Sequence, residues 1–233
     1  MLSEQRVPGG MEPVHGVFAR VGAIALNAVV AADVHLGEHV AVFGQGVIGL
    51  LAGQLARRNG ARVVVVDALA RRRDLGLRLG AAAAVPADAA GGAGAVVRAL
   101  AGDAGADVAV ELSGSYQALH EAVRCVGTDG RVVAAGFYQG DGVGLRLGEE
   151  FHHNRVHLVS SHIGGTPPAL GARWGRARLV SVFMAEIASG AVQVAPLVSH
   201  VVAAQEVASA FRVLDETPGE ALQVVLRFPA APA

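Results

Sequence analysis

Short apolar runs alternate with segments of helical periodicity along most of the chain. Runs rich in Val and Ala predict strands buried on both faces of a parallel sheet, at residues 39–43, 62–67, 83–85, 107–112 and 131–135. Apolar residues at intervals of three or four positions predict helices between these strands, at residues 47–58, 70–79, 94–100 and 116–126. This alternation implies right-handed crossovers and a doubly wound parallel sheet of the α/β class.

The two ends of the chain follow a looser pattern. Residues 14–34 predict one or two helices before the first strand. Beyond Gly136 the pattern predicts helices at residues 176–189 and 205–214, and strands at residues 156–161, 197–202 and 222–228. The Ala/Gly-rich residues 87–94 follow Pro86 and predict a solvent loop within the domain.

Composition narrows the chemistry. The 233 residues are 52% hydrophobic and 17% charged and include no lysine, which excludes Schiff-base, phosphate-loop-lysine and Tyr-x-x-x-Lys mechanisms. A net charge of −1 without a basic stripe argues against nucleic acid or an anionic membrane as a partner. We expect a cytoplasmic protein without signal peptide or membrane span, in which Cys125, the one cysteine, is a buried structural thiol.

A glycine pattern supplies the clearest chemical signal. Gly44, Gly46 and Gly49 form G-x-G-x-x-G directly between a predicted strand and a predicted helix, which is the context of a dinucleotide-binding turn. The first glycine permits the tight turn, the second lets the backbone approach a pyrophosphate, and the third lets the helix pack closely on the strand. The N-terminus of that helix offers N–H groups and a positive dipole end to phosphates.

Asp67 lies 18 residues after Gly49, at the end of the second strand. A carboxylate there can accept hydrogen bonds from both ribose hydroxyls of an adenosine and would repel a 2′-phosphate, which favours NAD over NADP. Arg71 and Arg72 follow within one turn and could offset the charge of a phosphate, so NADP stays open. Because open α/β sheets bind ligands beyond the carboxyl ends of their strands, we expect one crevice lined by Gly44, Asp67, residues 112–114, 136–139 and 161–164.

Several ordered motifs together resemble the medium-chain dehydrogenase/reductase superfamily of the zinc alcohol dehydrogenase type. They cover nearly the whole chain, at residues 40–67, 80–81, 107–114, 130–136, 196–202 and 221–228. The resemblance implies a Rossmann fold and hydride transfer between NAD(P) and an alcohol or carbonyl compound.

The resemblance also assigns residues to the parts of the cofactor. It implies that the pyrophosphate meets Gly46, Val47 and Ile48, and that the ribose meets Asp67 and Arg72. Leu112 and Ser113 would flank the adenine. The nicotinamide would face two segments, Ala135, Gly136 and Phe137 in one and Ser161, His162 and Ile163 in the other.

The N-terminal part of the sequence differs from that of the family. Full-length members carry an N-terminal GroES-like domain that supplies most zinc ligands, and nothing here resembles it, so we interpret the chain as a truncated form without the family zinc site. We divide it into a helical lead-in (1–36), a dinucleotide-binding domain (37–190) and a C-terminal segment (191–233). In relatives this last segment packs on the GroES-like domain. Its apolar surface predicts a homodimer or a partner subunit that covers it.

Four of the nine histidines lie close together in sequence, at positions 152, 153, 157 and 162. On a strand His153 and His157 would share one face, with His162 at the strand's end, which allows a replacement metal site or a proton donor at His162. The plainer interpretation is a polar loop with solvated histidines, and we favour it. Tyr138 is a rival proton donor, whereas Glu111 and Asp107 fit structural roles better.

Three functions therefore stay open. The first is an NAD(P)-dependent oxidoreductase whose catalytic residues and substrate the sequence leaves unknown. The second is a cofactor-binding module that has lost hydride transfer and acts through dimerisation or a partner. The third, an S-adenosylmethionine-dependent transferase, also uses a glycine-rich turn and an acidic residue after the second strand, but the C-terminal motifs disfavour it.

Overall fold

The computed structural model describes residues 7, 9–102 and 104–229, in which strands and helices alternate. The strands are β1 (His39–Phe43), β2 (Arg62–Asp67), β3 (Ala83–Pro86), β4 (Ala106–Glu111), β5 (Val126–Ala134), β6 (His157–Ser160), β7 (Val198–Ala203) and β8 (Gln223–Arg227). The helices are α1 (Ala19–Ala31), α2 (Val47–Arg58), α3 (Ala70–Arg78), α4 (Ala93–Ala101), α5 (Tyr116–Cys125), α6 (Arg176–Ala188) and α7 (Val207–Glu216).

One sheet of six parallel strands organises the chain, in the order β3-β2-β1-β4-β5-β6. The direction of winding reverses between β1 and β4, as in a doubly wound Rossmann sheet, so the predicted fold class is confirmed. Alternate residues of β1 point into two separate cores. Val40 and Val42 belong to the core that contains α1, α2 and α6, and Ala41 and Phe43 to the core that contains α4 and α5.

Helix α1 is part of the larger core. It packs against α2 and α6, and a Cβ added at Gly22 would lie only 1.9 Å from the ring of Phe183, which shows how closely α1 and α6 approach. Residues Pro13–Ala31 are long and apolar enough to cross a membrane by length and composition, a test that buried core helices also pass. The burial of Ala23, Ala25 and Ala28 against neighbouring helices accounts for this apolar character.

The predicted boundaries hold best in the first half of the sheet. β1, α2 and β2 have the predicted limits, and Cys125 is fully buried, as predicted for a structural thiol. Burial raises the pKa of its thiol, which keeps it protonated and unreactive. The expected loop at 87–94 ends earlier, because α4 begins at Ala93.

The C-terminal segment forms a small unit of its own. β7 and β8 pair in parallel as a separate two-stranded sheet, with α7 as the crossover between them. Phe211 of α7 is 67% exposed, and Phe228 after β8 and Leu214 of α7 are exposed as well. By contrast, Val192, Val194 and Leu197 pack in the larger core, so the start of this segment is anchored to the main sheet.

Candidate functional site

The carboxyl ends of five strands meet at one edge of the large sheet. Backbone hydrogen bonds tie each end to the next: Gly44 N–H to Val66 O (2.8 Å), Leu112 N–H to Phe43 O (2.9 Å), Gly136 N–H to Glu111 O (2.9 Å) and Ser161 N–H to Ala134 O (3.0 Å). The segments predicted to line a ligand crevice are therefore neighbours in space. Among the described residues, one depression is lined by Gly44, Asp67 and Ser113, and another by the loop after β6.

The glycine turn is shaped by close backbone contacts. Gly44 has a φ of +86°, and a Cβ there would lie 2.7 Å from Ser113 N. A Cβ at Gly49 would lie 1.8 Å from the carbonyl oxygen of Gly44. Gly46 differs from both, because its φ is −70° and no atom lies within 4 Å of its Cβ position. The free space over Gly46 is where a bound group could approach the backbone.

Helix α2 starts at this free space without a side-chain cap. Gly46 is its N-cap residue, and the first turn contains no acidic side chain. The first N–H groups of an α-helix have no partner within the helix, and they concentrate the positive end of its dipole. Together with the space over Gly46, they form a cradle suited to an anion such as a pyrophosphate.

Asp67 holds the turn from the neighbouring strand. Its side chain is only 9% exposed, and its Oδ2 accepts a hydrogen bond from Gln45 N–H (2.6 Å) while its Oδ1 accepts one from Leu69 N–H (2.8 Å). The carboxylate also lines the first depression, a crevice of about 370 Å³ that Gly44, Ser113 and Arg72 line as well. Each carboxylate oxygen can accept a further hydrogen bond from a ligand there.

Arg72 reaches the same crevice but has partners in the C-terminal segment. Its Nη2 donates hydrogen bonds to the carbonyl oxygens of Pro218 (3.0 Å) and Ala221 (3.1 Å). Its Nε is buried without a partner among the described residues. The resemblance assigned Arg72 to the ribose. The structure places it beside the crevice and gives its guanidinium a second role, that of tying the loop before β8 to α3.

Glu111 is a fully buried carboxylate at the end of β4. It accepts hydrogen bonds from the backbone N–H groups of Ser113 (2.6 Å) and Gly114 (3.1 Å), and from the hydroxyls of Ser113 and Tyr138. Hydrogen bonds to a charged acceptor are the strong ones in proteins. This arrangement fits the structural role expected for Glu111, because it fixes the turn that packs against Gly44.

Tyr138 is engaged by Glu111 and is poorly suited to transfer a proton. Burial, the hydrogen bond to Glu111 and the charge of that carboxylate all raise the pKa of the phenol above its ordinary value. The hydroxyl proton lies in the hydrogen bond to Glu111. Among the two proton donors considered from the sequence, Tyr138 is therefore the weaker candidate.

The residues assigned to the nicotinamide lie at the ends of β5 and β6. Gly136 packs on the turn after β4, since a Cβ there would lie 2.4 Å from Gly114 N, and Phe137 is 84% exposed. Ala135 and Ile163 pack against the larger core. Leu112, which the resemblance assigned to the adenine, packs against the same core, whereas Ser113 lines the first crevice. Ile163 also lines the second depression, of about 320 Å³, which extends to Trp174.

The histidines do not converge. His152 and His153 lie in a helical turn before β6, with ring centroids 5.5 Å apart, while His157 begins β6 and His162 follows its end. The expectation that His153 and His157 share a strand face is wrong, because the strand begins only at His157. Among the described residues no three His, Cys, Asp or Glu side chains are placed to hold a metal ion.

Three polar side chains near this edge had no signal in the sequence, and two of them, Asn27 and Glu121, are buried. Gln117 and Glu121 of α5 line the first crevice, and Glu121 accepts a hydrogen bond from Gly94 N–H (2.7 Å) while pairing with Arg124. Asn27 of α1 contacts the loop after β6. They lie on helices within otherwise ordinary amphipathic patterns, so periodicity alone does not single them out.

Comparison with known proteins gives consistent similarities. The family described as zinc-binding dehydrogenase matches residues 47–174. A D-guloside 3-dehydrogenase of Escherichia coli (strain K12) is 30% identical over 226 residues, which cover 96% of this chain and 64% of that protein. The chain thus spans less than two thirds of that relative's length.

Two solved structures have the same fold. Alcohol dehydrogenase TADH from Thermus sp. ATN1 is 23% identical in sequence, with a TM-score of 0.80. The superposition covers 97% of this chain and 62% of the TADH chain. A protein from Sinorhizobium meliloti 1021, solved with bound NADP, is 27% identical in sequence, with a TM-score of 0.72. The superposition covers 94% of this chain and 61% of that protein's chain.

The Tyr138 hydroxyl should make the protein sensitive to alkali. The folded state raises the pKa of this phenol, so above about pH 10 the unfolded chain loses a proton that the folded protein retains, and stability falls as pH rises. Urea denaturation of the parent and of Tyr138→Phe between pH 8 and 11 measures this effect. We expect a shallower loss of stability in the variant above pH 10, and parallel curves for both proteins would contradict it.

Proposed function

Because the chain belongs to the zinc-binding dehydrogenase family, within the medium-chain dehydrogenase/reductase superfamily, we propose that it binds NAD and serves hydride transfer between an alcohol and a carbonyl compound. The observation that carries the proposal is the free space over Gly46 beside the uncapped start of α2. At Gly44 and Gly49 backbone atoms occupy the space where a Cβ would lie, whereas the space at Gly46 is open. A pyrophosphate bound close to the backbone requires such an open space.

The described residues have clear tasks in this proposal. The N–H groups of Val47 and Ile48 would donate to the pyrophosphate, and Asp67 would accept from the ribose hydroxyls in the 370 Å³ crevice. When bound, the nicotinamide supplies or accepts the hydride. The residues described here do not fit a zinc ion, because no three ligands converge among them, so no step of the proposal uses one.

The coenzyme we propose is NAD. A 2′-phosphate would approach the carboxylate of Asp67. Two guanidinium groups lie near it and both already have acceptors: Arg72 donates to the carbonyl oxygens of Pro218 and Ala221, and Arg73 donates to those of Asp67 and Ala68. Neither guanidinium is therefore held free for a phosphate. The similarity to an NADP-bound structure supports a nicotinamide coenzyme in general, and the carboxylate favours the one without the phosphate.

Valine at position 46 should remove cofactor binding without harming the fold. No atom lies within 4 Å of the Cβ position of Gly46, and its φ of −70° suits any residue. We expect Gly46→Val to unfold at the same urea concentration as the parent but to bind NADH at least tenfold more weakly, as measured by fluorescence titration. In the parent, NADH should bind more tightly than NADPH, and S-adenosylmethionine should not bind.

Gly148 provides the matched control, because its Cβ position is equally empty and it lies in the turn Leu147–Phe151. Gly148→Val, the same substitution at the second open position, should leave NADH affinity unchanged. Equal NADH affinity in the parent and in Gly46→Val would overturn the assignment of the cradle.

The substrate we propose is a secondary hydroxyl of a sugar or glycoside. The support is the similarity to a D-guloside 3-dehydrogenase, of which the chain spans 64%. Among the described residues, the side chain best placed to move a proton is His162. Its Nδ1 accepts a hydrogen bond from Gly164 N–H (3.0 Å), which orients the ring. In alcohol oxidation the imidazole would take the hydroxyl proton and pass it to solvent as the hydride goes to NAD, and in carbonyl reduction the imidazolium would return a proton to the alkoxide.

Turnover separates the oxidoreductase from a non-catalytic binding module. We expect NAD to be reduced, followed at 340 nm, when the protein is supplied with glycosides and polyols that carry secondary hydroxyls. His162→Gln should lower kcat by about 10²-fold while NADH affinity stays the same. Binding of NADH without turnover of any compound in such a panel would favour the module instead.

We further propose that a second copy of the chain covers the exposed apolar side of the C-terminal unit. Phe211, Leu214 and Phe228 are exposed there, and the β7–β8 sheet has only two strands among the described residues. Phe211 and Leu214 are three positions apart on α7 and so share one face of it. Exposed apolar side chains on one helix face favour an interface, and an unpaired strand edge is a template for pairing with another chain.

Light scattering coupled to gel filtration should report twice the 23.6 kDa mass of the chain. Phe211→Glu should shift the mass to that of a single chain, because a carboxylate would be buried without a partner in the interface. The control is Leu36→Glu, at another exposed apolar position, which should remain a dimer. A parent protein that is monomeric at micromolar concentration contradicts the proposal.

A further inference from the structure

Asn27 connects helix α1 to the loop that follows β6. Its Nδ2 lies within hydrogen-bond distance of three oxygens, Ser161 Oγ (3.2 Å), His162 O (3.2 Å) and Gly165 O (3.1 Å). These partners lie 134 to 138 residues away in sequence. One buried amide therefore gathers the beginning and the end of a five-residue loop.

The buried amide of Asn27 destabilises the fold. Asn27 is 1% exposed, and its Oδ1 is buried without a partner among the described residues. Burying an unpaired polar atom destabilises the folded state, and asparagine is also a weaker helix former than leucine. An apolar side chain would suit the surrounding core of Ala23, Leu26 and Phe183 better. What an apolar side chain could not provide at this position is the set of hydrogen bonds to the loop 161–165.

The loop after β6 lies where the second half of a dinucleotide has to go. The proposed site places the adenosine beside Asp67, on the β2 side of the turn, and the pyrophosphate at Gly46. Because the sheet winds in the opposite direction beyond β1, the other nucleoside would extend over the ends of β4, β5 and β6. There it would meet the loop 161–165 and the 320 Å³ depression lined by Ile163.

The hydrogen bonds of Asn27 also orient the backbone of this loop. The carbonyl of His162 accepts from Asn27 and from Gly165 N–H (3.1 Å), which holds it toward α1. In a trans peptide the next N–H points the opposite way, so the N–H of Ile163 is turned away from α1. Without the amide, three loop oxygens would lose a donor and the peptide plane could rotate.

We propose that Asn27 is a positioning residue that fixes the loop 161–165 for the nicotinamide half of the cofactor. The inference rests on the proposed function of the Gly46 cradle. It makes α1, which lies outside the glycine motif, part of the machinery that orients the reactive ring. The adenosine half, held from β2 and α5, should not depend on Asn27.

Two ligands separate this role from a purely structural one. NADH uses both halves of the site, whereas ADP-ribose lacks the nicotinamide and uses the adenosine half and the pyrophosphate cradle. Asn27→Leu should weaken NADH binding at least tenfold and change ADP-ribose binding less than twofold, each measured by isothermal titration calorimetry under conditions where circular dichroism shows the folded state. Asn27→Ser, which is smaller but keeps a donor, should lie between the parent and Asn27→Leu.

Val29→Ala is the matched control. Val29 is buried on the same helix, so its truncation destabilises the core while all three hydrogen bonds of Asn27 remain. The ratio of the two dissociation constants should match that of the parent. If Asn27→Leu and Asn27→Ser also keep the parent ratio, Asn27 is only a core residue and the inference fails. A parent that binds neither ligand would instead overturn the proposed function, and the inference with it.

Discussion

Contact of backbone with backbone at the carboxyl end of the sheet is the constraint on which the site depends. Gly49 packs against the carbonyl of Gly44, Gly44 against the N–H of Ser113, and Gly136 against the N–H of Gly114, each too close for a Cβ. These contacts bring the ends of β1, β4 and β5 together with no side chain between them. The one glycine of the turn without such a contact, Gly46, is left facing open space, and that space is the cradle.

Two buried carboxylates hold this crowded edge in shape. Asp67 accepts hydrogen bonds from N–H groups of the glycine turn and of the start of α3, and Glu111 accepts them from the turn after β4. Backbone N–H groups thus take the place of a cation in satisfying the buried charge. Asp67 differs in that it also lines a crevice, so the same carboxylate that orders the turn can accept from a ligand.

The sequence predicts the secondary structure best where consecutive residues determine an element and the element is buried on both faces. The unit from β1 to β2 was predicted to the residue, because a Val-rich run, a glycine turn and a helical period follow one another without interruption. The edge strand β6 lies within one residue of its predicted limits at either end, and what fails is the alternative that extended a strand back to His153, where the polar residues carry no period. The contacts of Asn27 with the 161–165 loop and of Arg72 with Pro218 could not be predicted. They join residues more than 130 positions apart, and no local pattern encodes such a pairing.

Arg72 makes the C-terminal unit and the crevice interdependent. Its guanidinium holds two carbonyls of the loop before β8 while its side chain lines the crevice that contains Asp67. Both carbonyls are held by Nη2 alone, so the other N–H donors of the guanidinium are not used by the loop. The loop leads directly into β8, which pairs with β7 and so carries the exposed apolar side of the unit. Arg72 thus joins the crevice to the loop before β8 through one permanently charged side chain, whose remaining N–H donors are not used by the two carbonyls.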